Sequence, residues 1–236
     1  GIRLALVSSR PPAGLDGLRI PLALDTPSAG FNGGLIQDPD GRVIVEHTIS
    51  GDASRSAVSR LEEAGLDVWV FAGGEWLLKN EQGTYIAREQ LSICMNWRVV
   101  PDFSPYLTRV HKIMGSSADY ARCAAMAETM TAALGDTATV LRSQDYYVDI
   151  THPHANKGAA ALTIARLLGV DATNMAAIGD MPNDLPMLRA CGFGIAMGNS
   201  AAEVKAAAQL IVADNDHDGW SDAAERLLSL GAQTDL

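Results

Sequence analysis

Strand-like and helix-like segments alternate along the C-terminal third of the chain, and this alternation constrains the fold more than any other feature. From residue 157 onward, the helical pattern GAAALTIARLLGV precedes the apolar run MAAIGD, and DLPMLRAC then precedes GFGIAMG. Such alternation is typical of βαβ units, in which helices cover a sheet of parallel strands. The sequence therefore predicts an α/β protein with a doubly wound, Rossmann-like parallel sheet.

The N-terminal fifty residues predict further strands of this core. Residues 4–7 form an apolar run of the fully buried type, and residues 21–24 form a second one. The segment FNGGLIQDPDGRVIVEHTI predicts a hairpin whose turn is DPDG at residues 38–41. A helical pattern then covers residues 53–64 and ends at Gly65, a residue type common just after a helix.

The middle of the chain has a different character, with hairpin-like strands on both sides of one long helix. LDVWVFAGGEWLLKN predicts two strands joined at Gly73–Gly74, and Ser117 could cap a helix over residues 118–134. This pattern is typical of an α+β module and differs from the flanking parts. We therefore predict a core formed by residues 1–50 and 151–236, with a cap domain inserted at residues 51–150.

Composition and charge exclude several classes of partner. The chain carries a net charge of −10, which disfavours binding to nucleic acid or to an anionic membrane surface. No apolar run approaches the roughly 20 residues needed to span a bilayer. The first residues also lack the features of a signal peptide. These observations predict a cytoplasmic protein that has a small-molecule partner, and they leave open whether it is a monomer or a homodimer.

Polar residues cluster at the predicted ends of four separate strands. In open α/β sheets, ligands bind beyond the carboxyl ends of the strands, where loops lead into helices. Each cluster alone has an ordinary explanation, because serine pairs are common in turns and an aspartate often caps a helix. Their coincidence instead predicts one phosphate and metal site built from Ser8, Ser9, Arg10, Asn32, Lys157, Asp180, Asn183 and Asp184.

These residue types suit phosphoryl transfer, which depends on positioning and on cationic stabilisation of the phosphoryl oxygens. The Ser8 hydroxyl and the Lys157 ammonium could hold the phosphate, and Asn183 could donate a hydrogen bond to it. Asp180 could bind Mg²⁺, which prefers one or two carboxylates together with water and substrate oxygens. Asp184 could orient Lys157 or contribute to the metal site.

His152 and His154 have a spacing that a metal pair could use. The intervening Pro153, with no cysteine or third histidine nearby in the sequence, favours a plain loop.

Four motifs resemble those of the haloacid dehalogenase-like hydrolases of the Cof type, which carry a C2B cap. They are LVSSRPP, FNGG, NKGAAA and GDMPNDLPML, and the late HDGW segment is also similar. The resemblance implies Mg²⁺-dependent hydrolysis of a small phosphate ester, such as a sugar phosphate, through an aspartyl-phosphate intermediate. It assigns Asp180 the role of a direct Mg²⁺ ligand. It assigns Lys157 the role of the cation that stabilises the nucleophile and the phosphate. It assigns Ser8 and Asn183 to the phosphate.

The family's first motif, DxDGT, which carries the nucleophilic aspartate, does not occur in this sequence. The run after Gly1 resembles the continuation of a helix-to-strand turn, so we expect the natural protein to carry this motif upstream. Without it, the chain would be a non-catalytic protein that binds phosphate and Mg²⁺. A phosphomutase on the same fold is a further alternative.

Overall fold

The computed structural model describes residues 1–234, and its N-terminal part forms a small antiparallel sheet beside one helix. Its three strands pair in the order β1–β2–β3, and Asp38 and Arg42 close the turn between β2 and β3. The predicted hairpin is therefore confirmed. The elements are α1 (Ala13–Arg19), β1 (Ser28–Gly30), β2 (Leu35–Gln37) and β3 (Val43–Glu46).

The middle of the chain builds a six-stranded sheet with the strand order β6–β5–β4–β7–β9–β8. Strand β4 pairs antiparallel with both β5 and β7, whereas β5 and β6 are parallel. The elements are α2 (Gly51–Glu63), β4 (Asp67–Ala72), β5 (Glu75–Leu78), α3 (Ile86–Ile93), β6 (Trp97–Val99), β7 (Val110–Ser116), α4 (Tyr120–Leu134), β8 (Thr139–Leu141) and β9 (Tyr147–Thr151).

The C-terminal part contains a parallel sheet with the strand order β10–β11–β12 and confirms the α/β class of the fold. Each connection between its strands contains a helix, as the alternating pattern predicts. The elements are α5 (Lys157–Leu168), β10 (Ala176–Gly179), α6 (Leu185–Ala190), β11 (Phe193–Ala196), α7 (Ala202–Ala207), β12 (Leu210–Ile211) and α8 (Gly219–Thr234).

Two predicted N-terminal strands are wrong. Residues 4–7 are only half-buried, and their pairing is limited to one parallel bridge between Val7 and Ala29. On the other side of this segment, no strand within residues 1–234 pairs with it. Residues 21–24 form a turn, because Pro21 has no N–H to donate and Ala23 has a left-handed backbone with a φ of 48°.

The long helix of the middle segment begins two residues later than predicted, at Tyr120. Its N-cap is Asp119, whose carboxylate accepts a hydrogen bond from the backbone N–H of Arg122 at 3.0 Å. Ser117 instead accepts the backbone N–H of Asp119 at 3.1 Å. The predicted cap residue therefore stabilises the turn that precedes the helix.

The two faces of the six-stranded sheet have different roles. One face packs against α2 and α4 and forms an apolar core that includes Leu61, Ile113 and Ile150. The opposite face carries a cluster of aromatic residues, including Trp69 and Tyr147, which packs against α3 and the N-terminal part. Because side chains alternate along a strand, β7 and β9 contribute to both faces. Among the described residues, no helix combines the length and apolar character that crossing a bilayer requires.

We predict that Leu61→Ala lowers the free energy of unfolding by about 2–5 kcal/mol, because it leaves a cavity in the core beneath α2. Leu61 is fully buried, and its side chain lies over Gly115 of β7. Urea denaturation measures the change. The matched control is Leu91→Ala, since Leu91 is 82% exposed and should change stability by less than about 0.5 kcal/mol. Equal losses in the two variants would contradict this packing.

Candidate active site

One cavity of about 310 Å³ lies between the segment after Val7, the turn after β10 and the six-stranded sheet. All eight residues predicted from the strand ends line this cavity: Ser8, Ser9, Arg10, Asn32, Lys157, Asp180, Asn183 and Asp184. The fold thus brings together side chains that are up to 176 positions apart, from 8 to 184. Their individual chemical roles stay predictions.

A buried ion pair between Lys157 and Asp184 occupies one side of the cavity. The Lys157 Nζ lies 2.5 Å from Asp184 Oδ1, and both side chains are less than 10% exposed. Lys157 is the first residue of α5, and Asn156 caps this helix by accepting the backbone N–H groups of Gly158 and Ala159. The cap fixes the start of the helix and therefore the direction in which the lysine extends.

Asp184 also stabilises the turn after β10 that carries Asp180. Its Oδ2 accepts the backbone N–H groups of Asp180 and Met181, both at 3.0 Å. Gly179 permits this approach, because a Cβ at that position would lie 2.5 Å from the Asp184 Cβ. These bonds favour an orienting role for Asp184. Its predicted role as a metal ligand stays a prediction.

Asp180 lies half-buried at the cavity and has a carboxylate oxygen available for a ligand. Its Oδ2 accepts a hydrogen bond from Asn199 Nδ2 at 3.3 Å, and Asn199 Oδ1 accepts the backbone N–H of Asn215. Among the described residues, Oδ1 of Asp180 has no hydrogen-bond partner. Asn199 was not predicted from the sequence, although this residue closely follows a predicted strand end.

A chain of hydrogen bonds joins the two asparagines of the site to the loop that carries Ser8 and Ser9, which we call the serine loop. Asn183 Nδ2 donates to Asn32 Oδ1 at 3.1 Å, and the Asn32 backbone N–H donates to the Ser8 carbonyl at 2.8 Å. Asn32 has a φ of 58°, a left-handed conformation that asparagine tolerates better than most residues. Asn183 Oδ1 is buried and has no partner among the described residues.

The donor set fits a magnesium ion. Mg²⁺ prefers oxygen ligands and retains water molecules, and the half-buried Asp180 carboxylate offers one unbonded oxygen. The unpartnered Asn183 Oδ1 is a second oxygen in the same turn, and a buried polar atom of this kind needs a partner.

The six-stranded sheet supplies an opposite wall of the cavity that the sequence analysis missed. Lys112 of β7 and Asp149 of β9 form an ion pair that is almost completely buried, and Asp149 Oδ2 also accepts the backbone N–H of Ser143 at 3.0 Å. Glu89 of α3 accepts the Tyr147 hydroxyl at 3.0 Å. The sequence does contain a signal for this wall, because Lys112 and Asp149 are charged residues within two strand runs that are otherwise mostly apolar.

Burial changes the protonation of this wall. Desolvation raises the pKa of the Glu89 carboxyl, an effect that the nearby Lys112 partly opposes. Desolvation and the neighbouring Glu89 charge likewise raise the pKa of the Tyr147 hydroxyl. The tyrosine therefore stays protonated near neutral pH and can donate a hydrogen bond.

We predict that Asp184→Asn lowers the free energy of unfolding by about 3 kcal/mol or more, because it leaves the buried Lys157 ammonium without a counter-charge. Urea denaturation at neutral pH measures the loss. The matched control is Asp145→Asn, which removes a carboxylate that is 77% exposed and paired with Arg142. This control should change stability by less than about 1 kcal/mol. A loss below 1 kcal/mol in Asp184→Asn would contradict a buried pair.

The raised pKa of Glu89 predicts a pH-dependent effect of Glu89→Gln. At low pH the glutamate is protonated in both states, so burial carries no charge penalty. As pH rises through the ordinary pKa, the unfolded chain loses its proton first, and the folded protein loses stability until its own raised pKa is passed. Glu89→Gln should therefore become more stable relative to wild type as pH rises from about 4 to 7.

Urea denaturation across this pH range tests the expectation, with Glu81→Gln as the control at an exposed position. A stability difference between Glu89→Gln and wild type that stays constant with pH would contradict the assignment.

Comparisons with known proteins agree with the motifs and with the fold. A family model described as haloacid dehalogenase-like hydrolase matches residues 1–223. Phosphatase YwpJ of Bacillus subtilis is 24% identical over 97% of this chain and 88% of the relative. Three other curated relatives, at 37–38% identity, are matched over 16%, 31% and 33% of their own length. The chain thus spans a third or less of those proteins.

Solved structures show the same architecture. A haloacid dehalogenase-like hydrolase from Bacteroides thetaiotaomicron superposes with a TM-score of 0.87 at 27% identity, over 96% of this chain and 87% of the other. A sugar phosphatase of haloacid dehalogenase (HAD) subclass IIB superposes with a TM-score of 0.82 at 22% identity, over 96% of this chain and 85% of the other. The family model covers nearly the whole chain, and the motifs converge on one cavity. The protein belongs to the haloacid dehalogenase-like hydrolase family.

Proposed function

We propose that this protein is a Mg²⁺-dependent phosphatase that hydrolyses the phosphate ester of a small sugar or similar polyol. The observation that supports the proposal is the convergence of a hydroxyl, an ammonium, a carboxamide and a carboxylate in one cavity. These groups belong to Ser8, Lys157, Asn183 and Asp180. Phosphoryl transfer needs this combination, since its transition state spreads negative charge over oxygens that must be held and neutralised.

The phosphate lies, in this proposal, between the serine loop and the start of α5. The Lys157 ammonium uses one of its three N–H groups on Asp184 and has the others available for phosphoryl oxygens. Ser8 Oγ accepts the backbone N–H of Arg10 at 3.2 Å and can donate its own proton to the ligand. Asp184 keeps the lysine directed at the cavity and thereby acts as a positioning residue.

Asp180 would hold the magnesium ion, with Asn183 Oδ1 as a further oxygen at the same turn. Bound there, Mg²⁺ would neutralise charge on the phosphate and lower the barrier to attack. Asn199 orients the Asp180 carboxylate by its hydrogen bond to Oδ2, which leaves Oδ1 directed away from that contact.

The proposed aspartyl-phosphate route needs a nucleophilic carboxylate, and the DxDGT motif expected to carry it does not occur in this sequence. Four carboxylates line the cavity, and each already has a partner in a hydrogen bond: Glu89, Asp149, Asp180 and Asp184. Strand β10 pairs with β11 on one side only among the described residues. We propose that a strand carrying the nucleophile pairs with the other edge of β10.

The wall opposite the phosphate site supports a small polyhydroxylated leaving group. Lys112, Asp149, Glu89 and Tyr147 present paired donors and acceptors, which suit the hydroxyl groups of a sugar. A cavity of about 310 Å³ limits the ligand to a small metabolite. The likeness to a solved sugar phosphatase agrees with this substrate class.

Residues 51–150 would act as the cap of this enzyme. In the proposal, the six-stranded sheet closes over the phosphate site, excludes water and selects the leaving group.

We predict that Asp180→Asn lowers kcat by on the order of 10²–10³-fold or more, because it removes the carboxylate charge that holds the metal ion. The assay measures phosphate release from a panel of sugar phosphates with Mg²⁺, using the protein expressed from its natural gene. Asp40→Asn, at an exposed turn outside the cavity, is the matched control and should retain activity within about twofold.

Full activity of Asp180→Asn at saturating Mg²⁺ would contradict the metal assignment. Phosphate binding without turnover of any sugar phosphate by the wild-type protein expressed from its natural gene would contradict the phosphatase proposal and identify a non-catalytic binding protein.

A further inference from the structure

Three histidines that are distant in the sequence lie side by side in the fold. The rings of His47 and His152 are stacked, with centroids 5.0 Å apart and an interplanar angle of 13°. His154 meets both rings edge-on, at 5.7 Å from His47 and 5.1 Å from His152. Each side chain offers a ring nitrogen, and these three nitrogens all lie within 4.8 Å of one another.

His152 and His154 lie in a loop, as the sequence predicts, and the cluster adds a candidate set of metal ligands that the sequence did not indicate. The sequence places no third histidine near them, but the fold brings His47 into direct contact with both. The pairing arises because β3 ends at Glu46 and β9 ends at Thr151, and the chain leaves both strands in the same region.

The three histidines occupy the two connections between the six-stranded sheet and the rest of the molecule. His47 lies between β3 and α2, where the chain passes into the segment that builds this sheet. His152 and His154 lie between β9 and α5, where the chain returns. A ligand held by all three side chains would therefore join the two connections to each other.

We propose that His47, His152 and His154 form a binding site for a zinc ion that links these two connections. Imidazole nitrogen is a preferred ligand of Zn²⁺ and of related divalent transition metals, whereas Mg²⁺ prefers oxygen. Three histidines with an open fourth position are a known coordination set for Zn²⁺. The site is separate from the Asp180 turn in sequence and in ligand chemistry.

The backbone around two of the three rings is anchored before any ion binds. The His47 N–H donates to the Gly34 carbonyl at 2.7 Å, and the His152 carbonyl accepts the N–H of Ala155 at 2.9 Å. His47 and His152 are half-buried and His154 is exposed, so an ion can reach the cluster from solvent. The neighbouring Glu46 carboxylate is already engaged by Arg109 and His111.

The rings must turn and move closer together to bind an ion. Nitrogen ligands at about 2.0–2.1 Å from a tetrahedral zinc lie roughly 3.4 Å apart, which is closer than the present spacing of up to 4.8 Å. Rotation of the exposed His154 ring can shorten its distances to the other two nitrogens, and the stacked His47 and His152 rings must also turn to direct their lone pairs at one ion.

One existing hydrogen bond competes with the ion. The backbone N–H of His154 donates to His152 Nδ1 at 3.0 Å, so this nitrogen carries the lone pair of the neutral ring. Zinc would take that lone pair in place of the amide hydrogen. The amide lies in an exposed turn, where water can replace the lost partner.

Isothermal titration of the whole chain with Zn²⁺ tests the proposal, in the presence of excess Mg²⁺ to occupy the carboxylate site. We expect one tight site per chain. His47→Gln and His154→Gln should each weaken binding by on the order of 100-fold or more, since even the loss of an outer-shell partner weakens metal sites by about 10–100-fold. Circular dichroism checks that each variant is folded.

His217→Gln is the matched control, because His217 is exposed, lies outside the cluster and contacts Asp214. It should bind Zn²⁺ as tightly as wild type. With Co²⁺ as a spectroscopic substitute, wild type and His217→Gln should show the intense visible bands of a tetrahedral site, and the two cluster variants should not. Equal Zn²⁺ affinity in wild type and His47→Gln, or an equal loss in His217→Gln, would overturn the proposal.

Discussion

The buried ion pair between Lys157 and Asp184 is the interaction on which the rest of the site depends. It connects the first residue of α5 to the turn after β10, two elements that meet only through tertiary packing. Removing one partner would leave a buried charge uncompensated, which is much more unfavourable than losing an exposed pair. Because Asp184 also accepts two backbone N–H groups of its own turn, the pair fixes the positions of Lys157 and Asp180 together.

A second buried ion pair faces the first across the same cavity. Lys112 and Asp149 come from neighbouring strands of the six-stranded sheet, and Ser143 donates to the aspartate from the adjoining loop. The whole chain carries a net charge of −10, whereas the cationic side chains that line the cavity balance its carboxylates: Arg10, Lys112, Arg142 and Lys157 against Glu89, Asp149, Asp180 and Asp184. This local balance makes the cavity less repulsive to an anionic small molecule than the acidic chain as a whole is to nucleic acid.

Much of the site could be predicted because its residues follow strand ends, and parallel strands bring their carboxyl ends to one edge of a sheet. Asp180 and Lys157 are examples, since Asp180 directly follows β10 and Lys157 is the first residue of α5. Lys112 and Asp149 could not be predicted, because their pairing depends on the register of β7 against β9, which the sequence does not specify. His47 was missed for a related reason, as its partners lie more than a hundred residues away.

The fold was predicted wrongly where the structure of a segment depends on pairing with a distant part of the chain. Residues 4–7 have the composition of a buried strand, yet a strand needs neighbours to complete its hydrogen bonds, and among the described residues only Ala29 provides a bridge. The hairpin over residues 35–46 was predicted correctly, because its turn and both strands are adjacent in the sequence. Contacts between segments that are adjacent in the sequence could therefore be predicted, whereas pairings between distant segments could not.

Binding of inorganic phosphate, the product of the proposed reaction, tests the central claim most directly, since it depends on the site and not on the covalent nucleophile. Isothermal titration with phosphate in the presence of Mg²⁺ should show one site per chain in wild type. Lys157→Ala should lose this binding, and omission of Mg²⁺ should weaken it. Equal phosphate affinity in wild type and Lys157→Ala would contradict the account, because the cavity would then not be the phosphate site.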